Sequence, residues 1–241
     1  MILNDNFFKT IPSYVFTHTQ DLSFLSLEDN VDIDDFDGQP FKKLSKLTSL
    51  SLSGSGLKSI PYDAFLGLNS LREIDLSDNR LETFPREALK YLSHLEKLEV
   101  GSNKFESLEF QDMYELKNLK YFAITGCKNE FDLNLDAFQE NSKLVEINIT
   151  NCAGLMNLQS ETFANLPHLR RLNLHQCGLT RITQDLADWT SLEYFDISNN
   201  HLHCDCTLGK LYYFTKIVSY SQCSLKRAKF GQKNEFYDKS Q

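Results

Sequence analysis

Apolar residues return along this chain in a fixed frame. Two leucine-like positions alternate with polar ones, and a third follows after a short polar gap. The clearest copy is LREIDLSDNRLETFP from Leu71, which reads L-x-x-I-x-L-x-x-N-x-L-x-x-F-P. The frame recurs as LEKLEVGSNKF from Leu95 and LEYFDISNNHL from Leu192. The second apolar residue of each copy falls at Leu3, Leu27, Leu52, Leu76, Val100, Ile124, Ile149, Leu174 and Ile197, at intervals of 23 to 25 residues. The alternation within each L-x-L core has the two-residue period of a strand with one buried face. One such unit cannot bury its leucines alone. Stacked units bury them against each other and make a parallel sheet on an inner curve. Segments such as Ile60–Leu68 and Ile182–Trp189 then return along the outer side.

The frame resembles the leucine-rich repeat, L-x-x-L-x-L-x-x-N/C-x-L at 20–29 residues per unit. This resemblance implies an α/β solenoid, with a curved parallel sheet on the concave side and loops and short helices on the convex side. Residues 1–202 are expected to form about nine repeats, the first of them incomplete. The N/C position reads Asn6, Asn30, Ser55, Asn79, Asn103, Cys127, Cys152, Cys177 and Asn200. There the side chain points inward and satisfies backbone groups freed by the turn. Cysteine is a compact, weakly bonding substitute for asparagine. Cys127, Cys152 and Cys177 are therefore expected as buried thiols. Neighbouring strands lie close enough for a disulfide, but parallel Cβ vectors argue against one.

After the last repeat comes HLHCDCTLGKLYYF, with His201, His203, Cys204 and Cys206. A solenoid end exposes apolar side chains and needs a cap. The stretch CDCTLGKLYYFTKIVSYSQC resembles the C-terminal flanking cap of extracellular animal leucine-rich-repeat proteins, among them Toll-like receptors, Slit proteins and related adhesion proteins. That resemblance implies a partial cysteine-rich cap over 203–241 in which Cys204 pairs with Cys223. It leaves Cys206 with a missing partner and marks the chain as a fragment of a longer secreted or membrane-anchored protein. A zinc site in the HxHCDC stretch is the competing reading. Ligands so close in sequence make a tetrahedral site only with a second pair elsewhere, so no metal is expected.

Composition narrows the function. With 25 basic and 33 acidic residues the net charge is −8, which gives no basic footprint for nucleic acid. No apolar run approaches the roughly 20 residues of a membrane-spanning helix, and no secretory leader is visible at the start. The acidic run Asp29–Gly38 fails as a calcium loop, because Ile33 and Leu44 would occupy ligand positions. Phosphate-loop, dinucleotide, nucleophile-elbow and zinc-protease motifs are absent. No enzyme activity and no cofactor are expected.

Side chains flanking the buried leucines face the concave side in three columns. The leading one reads Phe24, Ser49, Glu73, Lys97, Tyr121, Glu146, Arg171, Tyr194. The middle one reads Ser26, Ser51, Asp75, Glu99, Ala123, Asn148, Asn173, Asp196, and the trailing one includes His175 and Ser198. Glu73 with Lys97 and Glu146 with Arg171 are expected as lateral ion pairs. Tyrosine and arginine are enriched at binding hot spots. The candidate ligand-binding residues are therefore Tyr121, Glu146, Arg171, Asn173, His175, Tyr194 and Asp196. The sole N-x-[ST] sequon, Asn148-Ile149-Thr150, makes Asn148 a candidate glycosylation site. The expected function is extracellular recognition of a protein ligand on the concave face, with no membrane contact by this segment. An intracellular scaffold of the same fold is the alternative, and a metal- or thiol-dependent enzyme at the HxHCDC stretch is the remote one.

Overall fold

The computed structural model describes residues 1–33, 35–127, 131–156 and 158–203. The expected cap, with Cys204, Cys206 and Cys223, lies outside them. Each repeat contributes one strand to a single parallel sheet. In chain order these are β2 (Phe24–Ser26), β4 (Ser49–Ser51), β5 (Glu73–Asp75), β6 (Lys97–Glu99), β8 (Tyr121–Thr125), β10 (Glu146–Thr150), β11 (Arg171–Asn173) and β12 (Tyr194–Asp196). Ile2 adds a bridge to Ser26 at one end. On the return side, β1 (Thr10–Ile11) pairs with β3 (Asp35–Phe36), and β7 (Ser107–Leu108) pairs with β9 (Asp132–Leu133). Two short helices, α1 (Arg86–Leu89) and α2 (Phe110–Met113), also lie there.

Register follows the sequence columns. Phe24, Ser49, Glu73, Lys97, Tyr121, Glu146, Arg171 and Tyr194 are successive partners, and so are the residues of the middle column. Between them Leu25, Leu50, Ile74, Leu98, Phe122, Ile147, Leu172 and Phe195 are buried. Each such side chain contributes roughly 1.5–3 kcal/mol by leaving water. On the convex side phenylalanines stack from repeat to repeat, Phe16 on Phe41 on Phe65 and further along Phe138 on Phe163.

Each repeat leaves its strand through one left-handed residue. These are Asp5, Asp29, Gly54, Asp78, Ser102, Gly126, Asn151, Gln176 and Asn199, all with φ between 51° and 66°. The turn exposes backbone carbonyls to the interior, and the next side chain satisfies them. The Asn79 amide donates to Leu52 O at 2.8 Å, Leu76 O at 3.0 Å and Ser77 O at 3.0 Å, and its Oδ1 accepts from Leu57 N at 3.0 Å. Asn30, Asn103 and Asn200 donate in the same way. Ser55 reaches one carbonyl well, Leu27 O at 3.1 Å. Asn6, in the first repeat, is exposed and donates only within its own turn.

The cysteine rungs depart from expectation. Cys177 is a buried thiol and donates to Ile149 O at 3.0 Å. Cys127 and Cys152, expected as thiols, are joined in a disulfide with a Cα–Cα distance of 4.4 Å. Both residues lie beyond their strands, each just after a left-handed residue, Gly126 or Asn151. Stacking brings their Cα atoms to a separation within disulfide reach, and at this rung proximity outweighs the parallel-Cβ argument.

Candidate ligand-binding surface

Every candidate concave residue lies on or beside the last four strands, and most are tied into one polar band. Lys97 lies over the Tyr121 ring, 5.1 Å from its centre, and pairs with Glu99 at 2.7 Å. This corrects the expected Glu73–Lys97 pair: the two residues are register partners, but the lysine reaches along its own strand. Glu99 is two residues on and on the same face, where a lysine stem spans the gap at little cost in packing. Asn148 donates to Tyr121 Oη at 3.1 Å and to Glu146 Oε1 at 2.9 Å. Glu146 in turn holds Arg171, Nε to Oε2 at 3.1 Å, as the columns suggested. The Arg171 guanidinium then lies over the Tyr194 ring, 4.7 Å from its centre.

The band continues through Asp196. Tyr194 Oη donates to Asp196 Oδ2 at 3.4 Å, and the Ser198 hydroxyl donates to Oδ1 at 2.6 Å. Burial works against the Asp196 charge. Hydrogen bonds from the Ser198 side chain and backbone, with His175 nearby, outweigh it and hold the carboxyl below its usual range. Because the one Ser198 hydroxyl proton goes to Asp196, its oxygen accepts from His175 Nδ1, 2.8 Å away. The other ring nitrogen, Nε2, lies 3.3 Å from Asn199 Nδ2. Asn173 turns back on its own chain, Oδ1 accepting from His175 N at 3.1 Å.

The arrangement presents two aromatic rings, each paired with a cation, on a rigid sheet. Burial raises the Tyr121 hydroxyl above its ordinary pKa, so it stays a neutral hydrogen-bonding group. Held side chains lose little freedom on binding, which favours affinity per contact. A separate cavity of about 610 Å³ opens on the return side between Ile60, Tyr62, Phe84, Arg86, Phe105 and Asp112, and it takes in none of the concave columns. Asn148 is half-buried and both its amide hydrogens are engaged. Sequence columns identified the faces and most members of the band. They missed Lys97, Glu99 and Asn199 as contributors, because pairing along a strand and across a turn depends on side-chain reach.

A solenoid with an exposed, side-chain-rich concave sheet is the architecture of a protein-interaction module. The family model described as Leucine rich repeat matches residues 25–81, 69–128 and 132–202, and the chain belongs to this family. Over 92 residues, 38% of its length, the chain is 29% identical to the NT-3 growth factor receptor of Mus musculus, and the match covers 11% of that receptor. The Homo sapiens receptor is 28% identical over 92 residues. The chain thus spans about a tenth of the length of these curated relatives, 11% in each case. Among solved structures, TLR13 in its complex with ssRNA13 is similar over 85% of this chain and 32% of its own, at 18% identity and a TM-score of 0.61. Toll in the Drosophila Toll–Spatzle complex is similar over 86% of this chain and 34% of its own, at 18% identity and a TM-score of 0.58. These likenesses show the fold.

Proposed function

We propose that this chain is part of an extracellular receptor or adhesion ectodomain that binds a protein ligand on its concave face. The carrying observation is the ordered band from Lys97 to His175, in which Tyr121 and Tyr194 each lie beneath a cation. Tyrosine and arginine on a rigid frame are the residue types that dominate protein interfaces. The concave columns carry Glu73, Asp75, Glu99, Glu146 and Asp196 against Lys97 and Arg171, which supports a protein partner over a polyanion. The receptor relatives and the Cys127–Cys152 disulfide support an oxidising, extracellular setting. Residues 203–241 are the cap in this reading, with Cys204 bonded to Cys223. The sequon at Asn148 would be modified on the nascent chain, before Tyr121 and Glu146 engage the amide.

The test is a binding screen of secreted proteins against the immobilised chain, repeated with Arg171→Ala and Tyr194→Ala. Each substitution is expected to weaken a genuine partner by about 1–2 kcal/mol, roughly five- to thirtyfold. Circular dichroism should show both variants folded. A partner lost on convex substitutions such as Tyr62→Ala, but indifferent to both concave ones, would place recognition elsewhere.

A further inference from the structure

The three ladder cysteines share one geometry. Cys127 and Cys152 are 25 residues apart, hold the same place in successive repeats and are bonded. Cys152 and Cys177 are separated by the same number of residues, 25, in repeats whose strands are in direct register, Asn148 opposite Asn173. The backbone hydrogen bonds continue that register past the strands, with Asn151 N donating to His175 O at 3.0 Å. Each cysteine follows a left-handed residue, Gly126, Asn151 or Gln176. The Cys177 sulfur points inward to Ile149 O, and the Cys152 backbone also hydrogen-bonds it. Cys152 thus stands between two equivalent neighbours, one bonded and one free. The three residues hold the same place in three successive repeats, so Cys177 sits on the side of Cys152 away from Cys127, the side from which a thiolate displaces the far sulfur.

We propose that the disulfide moves one rung along the ladder, and that the move exposes Cys127 as a thiol modification site. Cys177 gives its proton to solvent hydroxide, and its thiolate attacks Cys152 Sγ. The Cys152–Cys177 bond forms as the Cys127–Cys152 bond breaks. Cys127 leaves as thiolate and takes a proton from water, so nothing is oxidised or reduced overall. The two positions are not equivalent in access. Cys177 is fully buried, whereas Cys127 is half-buried and follows an exposed Gly126. The shift therefore exchanges an enclosed thiol for a reachable one, on which an alkylating agent, a glutathione disulfide or a partner's disulfide can act. Burial pushes the Cys177 thiol up to about 11, against a smaller downward pull from its hydrogen bond with the Cys152 backbone. The shift is therefore slow near neutrality and speeds up about tenfold per pH unit as thiolate accumulates.

The experiment uses the purified, folded chain without added thiol, held under argon at about pH 7 and about pH 9. Samples taken over time are alkylated with iodoacetamide, digested without reduction and mapped. The expected result is growth of a Cys152–Cys177 peptide together with alkylated Cys127, about a hundredfold faster at the higher pH. Cys177→Ser should abolish both while leaving the circular dichroism spectrum unchanged, and Cys177→Ala should do the same. Alkylation of Cys127 that persists in these variants would mean that another thiol opens the bond, and the proposal would fail. It would fail equally if Cys127–Cys152 remained the sole ladder linkage at both pH values.

Discussion

Asn79 shows what one buried side chain does for a solenoid. Its amide satisfies carbonyls from two adjacent repeats, and its oxygen takes a backbone N–H from the previous one. Asn79→Ala removes all four bonds and leaves buried groups without partners, each costing about 1–3 kcal/mol. Partial relaxation and water entry reduce the sum, so a loss of about 3 kcal/mol is expected in urea unfolding. Asn79→Ser should retain a fraction of it, because Ser55 already manages one good bond at the same rung. Cys177, the free cysteine rung, is a weaker donor still. Across that stretch the Cys127–Cys152 bond ties neighbouring repeats covalently where the asparagine ladder is missing.

At the scale of the element, the turn after each strand decides how closely repeats stack. Gly56, with φ +77°, follows the Ser55 rung, and a Cβ there would lie 2.1 Å from Val31 O. The clash is with backbone, which cannot swing away as a side chain can. Gly56→Ala is therefore expected to lower stability by about 2–4 kcal/mol, from the left-handed backbone and the overlap together. Thermal melts followed by circular dichroism would show it. A change smaller than about 0.5 kcal/mol would mean that the second and third repeats have room to separate. The left-handed position was written in the sequence as Asp, Gly, Ser, Asn or Gln immediately before each N/C residue. These residues tolerate positive φ best when they are Gly, Asn or Asp, and that column could have been read alongside the leucines.

The whole molecule stacks like over like, so a charge in one repeat faces its counterparts in the next. Asp75 is half-buried in the middle column, near Glu99 and Glu28. Burial first, and then these two neighbours, push its carboxyl above the usual range, despite hydrogen bonds from Ser77. A raised native pKa means that the folded state holds the proton more tightly than the unfolded chain. The charge therefore costs stability at neutral pH. That cost sets in as pH rises from the unfolded value, about 3.9, to the raised native one. Asp75→Asn keeps an oxygen to accept from Ser77 and removes the charge. It is expected to raise the melting temperature at neutral pH, with the gain shrinking as pH falls toward about 4. A lower melting temperature for this variant at neutral pH would show that the Ser77 bonds need a full carboxylate.

The leucine frame alone determined the solenoid, the strand positions and the three concave columns, because stacking forces every repeat to bury the same positions and to expose the same ones. The family follows from that periodicity. Tertiary structure decided which neighbours actually meet. Lys97 turns to Glu99 instead of Glu73, since a long flexible side chain chooses among several partners within reach. Asn148 faces outward as its column requires, yet its amide is closed off by Tyr121 and Glu146. Cys127 and Cys152 bond because stacking brings their Cα atoms to 4.4 Å, a separation that a period of 24 or 25 residues does not encode. A repeating pattern specifies position along the chain and face of the sheet. Side-chain direction at a turn, and the choice among neighbours, emerge only when all repeats are stacked together.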